Sequence, residues 1–246
     1  MVFLQDADTK AAFDANGRGD HAFLTGTPKI DALMEAKGTV PTIWPIVREH
    51  TGGKVPFKLI WAPHHSYADR WLNFGHFNQQ REPMLAFAEH HPEMDIVFRP
   101  HPFLFGTMTD REVMTQEEVD NWRSRWDALP NTFTDLGAPL TALLLASDAL
   151  VTDGVSFLAE YPLVTGKPAI FWEKSVHWDF SPLGTIAAAS TVTVHTMAEV
   201  EQAISQAESG TLPDRSKEIA ALVKAVRPQP ASAAQTIIEL VAKDYS

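Results

Sequence analysis

The stretch from Ser147 to Gly184, SDALVTDGVSFLAEYPLVTGKPAIFWEKSVHWDFSPLG, restricts this chain more than any other. An apolar run, Ala149-Leu150-Val151, breaks at Thr152-Asp153-Gly154, and helix-forming Val155 to Glu160 follows. After Thr165-Gly166-Lys167-Pro168 comes a second apolar run, Ala169 to Trp172. Strand, tight loop, helix, turn and strand make one βαβ unit. A parallel sheet built from such units gathers its polar loops at the carboxyl ends of the strands, where helix N-termini attract anions. The loop Thr152 to Ser156 therefore reads as a phosphate-handling loop.

The same alternation runs through the rest of the chain. Phe57 to Ala62 and Asp95 to Arg99 are apolar strands, closed by Pro63-His64-His65-Ser66 and by Pro100-His101-Pro102. Asn131 to Asp135 and Ser190 to Val194 add short strands. Helices are expected over Glu82–Glu89, Glu112–Ala128, Pro139–Ala146, Met197–Ser209 (capped by Thr196), Lys217–Val226 and Ser232–Lys243. His21 to Thr25 reads as a strand, and Thr27 then caps a helix with Pro28 at its first position and Ile30, Leu33 and Met34 facing inward. Met1 to Asp20 reads as a polar, loop-like start. Thr42 to His50 reads as helix, ended by Thr51-Gly52-Gly53. Strands alternating with helices imply an α/β fold with a Rossmann-like, doubly wound, mostly parallel sheet.

With 246 residues, 45% hydrophobic and 21% charged, the chain can bury a globular core. A formal net charge of -11 disfavours a nucleic-acid partner or a general attachment to anionic lipid, while leaving room for a local basic pocket. The absence of cysteine excludes disulfides, thiolate metal sites and cysteine nucleophiles. No apolar run is long enough to span a bilayer, and Met1 to Asp6 lacks the basic start of a signal peptide, so a cytoplasmic location is expected. Seven tryptophans are many for this length; core packing accounts for most, and the others suit a cleft or an interface.

Three strand ends carry the polar groups: His64-His65-Ser66, Arg99-Pro100-His101-Pro102 and Thr152-Asp153-Gly154-Val155-Ser156. In a parallel sheet all three lie on one edge. His101, pinned between prolines, could protonate or hydrogen-bond a phosphate, or could be a turn histidine bonded to backbone. Arg99 could fork a phosphate or stand in a salt bridge. Gly154 allows a positive φ and close approach of backbone to a ligand, and Ser156 could donate to an anion. Asp153 would repel phosphate and is better suited to capping the helix or fixing a neighbour. Glu160, four residues after Ser156, could bond a ribose hydroxyl or simply be exposed.

Ten histidines raise the question of a metal, yet no H-E-x-x-H spacing occurs, and adjacent His64 and His65 on a strand would point to opposite faces. No metal and no cofactor are expected. There is no dinucleotide fingerprint, no phosphate-loop lysine motif and no G-x-S-x-G elbow.

The order of these motifs resembles that of the CDP-glycerol glycerophosphotransferase family, the polymerases of teichoic-acid type chains. Thr25-Gly26-Thr27-Pro28-Lys29-Ile30-Asp31-Ala32-Leu33 resembles its "G-x-P-(R/K)-x-D-x-L" segment, and Ile60-Trp61-Ala62-Pro63 its "YAPT" strand end. Arg99-Pro100-His101-Pro102 resembles "K-x-H-P", Ser147 through Ser156 resembles "SDxLITDYSS", and Gly166 to Phe171 resembles "KRPIIFY". The departures are His64-His65 for a threonine, Gly154 for an aromatic and Val155 for the first serine.

The resemblance implies the carboxyl-terminal, nucleotide-binding half of a GT-B fold. Residues 38–246 would form the donor-binding domain, and residues 1–37 a segment leading from an acceptor domain that this sequence lacks. It implies His101 as the catalytic or phosphate-stabilising residue. By motif, phosphate contacts would fall on His101 and on Thr152 to Ser156; with the strand-end reading added, the expected donor-binding residues are His64, His65, Ser66, Arg99, Thr152, Asp153, Gly154, Val155, Ser156 and Glu160. The partners it implies are a CDP- or UDP-linked donor and a lipid-linked or polymer acceptor, with peripheral membrane association, at the inner membrane face, through the missing part. The expected activity is a transferase that builds a cell-envelope polysaccharide or teichoic-acid-like polymer. The alternatives are a non-catalytic nucleotide-binding module and a UDP-sugar 2-epimerase-like enzyme.

Overall fold

A computed structural model describes residues 1–48, 55–67, 72–137 and 139–244. Its central element is one parallel sheet of β3 (Lys58–Ala62), β4 (Asp95–Phe98), β5 (Thr132–Thr134), β6 (Ala149–Thr152), β7 (Ile170–Trp172) and β8 (Val192–Val194). Their spatial order is β5-β4-β3-β6-β7-β8, so the chain winds outward from β3 in one direction and from β6 in the other. Ala62 stands beside Thr152 and Trp61 beside Phe98, so the central strands end at one level.

Both faces of the sheet are covered, which is why its strands read as continuous apolar runs. Side chains alternate between faces with the period of two that a strand imposes. Leu59, Trp61, Ile96, Phe98 and Val151 pack on one face against α3 (Phe77–His90), α5 (Gln116–Asp127) and α9 (Met197–Ser209). Ile60, Ala62, Val97 and Leu150 pack on the other, against α6 (Leu140–Ala146), α7 (Val155–Thr165) and Leu33 of α2 (Pro28–Glu35). Trp61, Trp122 and Trp126 are core residues, their rings in contact with Phe98, while Trp178 is exposed. Helices α8 (Pro182–Ala189) and α10 (Ser216–Val226) bury Ala187, Leu222 and Val226 against α7, and α11 (Ala233–Asp244) follows, with Ala233 buried.

The start of the chain is more ordered than its composition suggests. β1 (Val2–Leu4) and β2 (Ala22–Leu24) form a small parallel ribbon connected through α1 (Ala7–Ala15). Asp6 caps α1 by accepting the Thr9 N–H at 2.8 Å, a local bond that sets a helix in a polar stretch. Conversely, residues 41–48, within the helix expected over Thr42 to His50, carry no helix. Pro45 removes a donor there, and Trp44 and Arg48 instead hydrogen-bond the buried carboxylate of Asp95 at 3.1 and 2.8 Å. The remainder of that expected helix and its Thr51-Gly52-Gly53 stop lie outside the described residues. α3 starts at Phe77 rather than Glu82 and carries Pro83 inside it. A separate helix, α4 (Leu104–Asp110), precedes α5, which opens with a capping box between Thr115 and Glu118.

Candidate functional site

The strand order makes a crevice between the carboxyl ends of β3 and β6, the switch point where open α/β sheets bind ligands. Two hydrogen bonds carry the pairing of β3 and β4 beyond the strands. Arg99 N–H donates to Trp61 O at 2.8 Å and His101 N–H to Pro63 O at 3.2 Å. They bring the loop after β4 alongside the loop after β3. Both loops, with the start of α7, line a cavity of about 390 Å³ whose walls include Lys29, His64, Arg99, His101, Gly154 and Ser156.

Asp153 holds this edge together. Its side chain is fully buried, and its two oxygens accept the backbone N–H groups of His64 and of His76, the latter at 3.0 Å. Burial pushes its carboxyl up to about 7, against the opposing pull of those N–H donors. Thr152, also fully buried, donates its hydroxyl to Ala62 O at 2.6 Å and accepts from Gly154 N–H at 2.9 Å. Both residues fix the loops rather than face the cavity, and α7 has no side-chain cap. Gly154 has a φ of −95°, so the turn does not need a left-handed residue. A Cβ there would meet Thr152 Oγ1 at 3.2 Å and His64 Cδ2 at 3.5 Å. The positions that depart from the family pattern, His64 and Gly154, are thus spatial neighbours.

The hydrogen-bond network assigns the His64 tautomer. Ser66 Oγ accepts from Phe74 N–H at 3.0 Å, so its own proton goes to His64 Nδ1, 2.8 Å away. Ser66 N–H also donates to Nδ1, at 3.2 Å. The proton of neutral His64 therefore sits on Nε2. Burial, then the nearby His65 and His101, brings the His64 pKa down to about 3. His101 is arranged alike: Phe103 N–H donates to its Nδ1 at 3.2 Å, leaving Nε2–H as its donor. Burial lowers His101, and burial with His101 nearby lowers His65. The His65 and His101 rings are stacked with centroids 3.7 Å apart, and His64 lies 4.6 Å from His65. His64 and His65 leave the strand before their side chains diverge, so the opposite-faces expectation fails for them. Among the described residues no group of His, Asp or Glu could hold a metal ion.

The remaining residues divide into two settings. Arg99 forms an ion pair with the buried Asp135, and both border the same cavity. Glu160 is buried rather than exposed, and Lys29 Nζ reaches its Oε1 at 2.6 Å. Glu160 and Val155 line a second cavity of about 280 Å³ on the far side of Ser156, which borders both. Another cavity, about 480 Å³, lies at the opposite ends of the strands beside Phe57, Asp148 and Lys167, away from the switch point. The sequence reading did not single out Lys29, Asp135 or His76. Lys29 stood within the Thr25 to Leu33 segment, but its reach to α7 had no signal in one dimension. His76 accepts from Gln80 Nε2 at 2.8 Å, and Gln80 in turn accepts from Trp61 Nε1 at 3.4 Å. The proton left on His76 Nδ1 is donated to Phe74 O at 3.3 Å, with the Asp153 carboxyl 3.5 Å away.

The arrangement offers neutral imidazole N–H donors, an uncapped helix N-terminus, a serine hydroxyl and two charge-matched cations. Such a set can receive an anion without holding a fixed net charge of its own.

Among solved structures, a UDP-GlcNAc 2-epimerase from Neisseria meningitidis bound to UDP-GlcNAc matches with a TM-score of 0.58 at 17% identity, over 98% of this chain and 60% of that one. S. aureus MnaA bound to UDP matches at 0.53 and 13% identity, over 96% of this chain and 58% of that one. The wall teichoic acid polymerase TagF, soaked with CDPG, matches at 0.51 and 14% identity, over 98% of this chain and 57% of that one. The chain therefore spans about 60% of the length of the epimerase it matches. No family model matches the sequence, and no curated protein does. The likeness establishes the fold alone: α/β, Rossmann-like and doubly wound, with a mostly parallel sheet. Among the described residues no helix is long and apolar enough to cross a membrane.

Proposed function

We propose that this chain is the donor-binding part of a transferase acting on a nucleotide-diphosphate-activated donor, a CDP-glycerol-like alditol phosphate or a nucleotide sugar. The product would be a cell-envelope polysaccharide or a teichoic-acid-like polymer, built on a lipid-linked or polymer acceptor. In this reading residues 38–246 form the donor domain, and residues 1–37 lead from the acceptor side. The observation that carries it is the cavity at the β3–β6 switch point, where His64 and His101 meet the uncapped start of α7 at Ser156. Support also comes from the fold shared with structures holding UDP-GlcNAc, UDP and CDPG.

The diphosphate would lie between His101 and the N–H groups of α7, with Ser156 donating to it. Glu160 and the second cavity would take the ribose side. His101 would stabilise charge on the departing nucleotide, the help that phosphoryl and glycosyl transfers need. The test is calorimetric titration with CDP and UDP. Micromolar to millimolar binding is expected, weakened about tenfold by Ser156→Ala, the equivalent of ~1.4 kcal/mol for one lost hydrogen bond to an anion. Equal affinity in the variant would remove Ser156 from the site. His101→Ala is expected to abolish transfer by the complete enzyme while leaving its thermal unfolding unchanged.

A second reading, a UDP-sugar 2-epimerase-like enzyme, is favoured by the match to the Neisseria epimerase. It requires interconversion of a UDP-sugar with no acceptor present, which a chromatographic assay detects. Nucleotide binding with neither transfer nor epimerisation would instead support a non-catalytic binding module.

A further inference from the structure

His101 lines the switch-point cavity, and the His65 imidazole stacks on it, one ring face against the other at 3.7 Å and 20°. We propose that this stack takes up a single proton when a phosphate group enters the cavity, so that anion binding is coupled to proton uptake. The inference rests on the phosphate-binding reading of the site and adds a mode of regulation to it.

Geometry supplies the argument. Two imidazolium rings at this spacing repel strongly, so the pair holds at most one proton. One charged ring against one neutral ring is favourable, because the neutral π face accepts a cation. His64 is a poor seat for the proton: Ser66 donates to its Nδ1 with both its hydroxyl and its backbone N–H, and protonation would oppose both bonds. Among the described residues, the cations bordering the same cavity as His101 are Arg99 from the loop after β4 and Lys29 from α2. Asp135 of the loop after β5 and Glu160 of α7 match them. Asp153 lies beneath His64, with its carboxylate held by two backbone N–H groups. Flanking the stack are His64, 4.6 Å from His65 between centroids, and the exposed ring of Phe103, 5.9 Å from it. Burial lowers both rings from their ordinary value, so at neutral pH the stack by itself is neutral. A phosphate dianion reverses that balance, since an opposite charge within a few ångströms favours the cation.

The test counts protons. CDP, and separately inorganic pyrophosphate, are titrated calorimetrically at about pH 7.5, where their phosphates are largely ionised. Buffers of contrasting ionisation enthalpy then give the protons exchanged per ligand. Roughly one proton taken up is expected for each ligand, falling to near zero in His65→Asn with binding weakened by about tenfold. Histidine ring carbon–proton spectra give a second readout in the unaltered chain, where pyrophosphate should raise the titration midpoint of the stacked pair.

CDP binding without proton uptake, or uptake undiminished in the His65→Asn/His101→Asn double variant, overturns the coupling and leaves the nucleotide reading standing. Pyrophosphate binding with uptake, but no CDP or UDP binding, overturns the nucleotide reading and leaves the coupling standing. If neither ligand binds, both are wrong.

Discussion

The Ser66 hydroxyl accepts from the Phe74 N–H and gives its single proton to His64 Nδ1, so one buried side chain orients both a loop and an imidazole. Ser66→Ala would leave the Phe74 N–H short of an acceptor inside the protein. A loss of about 1–3 kcal/mol is expected, measured as a shift in the urea midpoint. The variant should also weaken CDP binding several-fold, because the His64 ring loses the shorter of the two contacts at Nδ1 that orient it and keep Nε2–H its donor. An unchanged midpoint and affinity would show that Ser66 orients nothing.

At this scale the sequence was legible in part. The sequence offered Asp153 as a helix cap, as a residue fixing a neighbour and as a donor contact; its side chain accepts the His64 and His76 N–H groups and does not cap α7. Its partners were not readable, because they lie 89 and 77 residues away in the chain. The convergence of His64 and His65 was missed for a different reason. The alternation rule was applied to residues lying just beyond the strand, where it no longer holds.

At the scale of elements, the ion pair between Lys29 and Glu160 ties α2 to α7. Its two ends differ: the Lys29 side chain is 62% exposed and that of Glu160 9%. An exposed lysine contributes little by itself, so the attraction amounts to at most ~1 kcal/mol. Removing the cation leaves a nearly buried carboxylate without its match, which costs more than the pair contributes. Lys29→Met should therefore destabilise the chain by about 1–2 kcal/mol, and adding Glu160→Gln should restore most of it. A double variant no more stable than Lys29→Met would contradict this account.

The elements most legible in sequence were those with local signals. The apolar runs of β3, β4 and β6 stop at proline or glycine turns, β7 starts just after Gly166-Lys167-Pro168, and Thr196 with Glu199 marks the start of α9 through a capping box. The elements misread were those where context overrode the local signal. Pro83 hid the first turns of α3, whose Phe77 and Gln80 are buried beside Trp61. A polar composition hid α1, and a helix-like spacing over Thr42 to His50 gave way to Pro45 and the bonds to Asp95.

At the scale of the whole molecule, stability should depend on pH through two buried groups, Asp153 and His76, and the half-buried His64, with opposing signs. Asp153 is pushed up from 3.8 to about 7, so across that window the folded state keeps a proton the unfolded chain has released, and stability falls as pH rises. His64 and His76 are brought down from 6.5 to about 3 and about 4, chiefly by burial. Below pH 6.5 the unfolded chain binds those protons first, so stability is lost as pH falls. Two histidines against one carboxyl leave a net loss of about 1.4 kcal/mol per pH unit between about pH 6 and pH 4.5. Asp153→Asn removes the opposing contribution, so the acid-side loss should be steeper, by up to about twofold from this trio. Thermal unfolding midpoints measured across that range check the slope, and an unchanged slope would place the Asp153 pKa near its ordinary value.

The crevice between β3 and β6 also dictates an order of assembly. The bond from Thr152 to Ala62 that closes its floor spans 90 residues, so a ribosome must deliver β6 before β3 finds its second neighbour. Until then β3 stands as an edge strand of a three-stranded sheet, and the polar groups of the crevice face no opposite wall. Pairings this distant in sequence form slowly, because the loop must close before the contact is made. A nascent or proteolysed chain lacking β6 would thus have no binding site at all, and ligand capture would report a completed sheet.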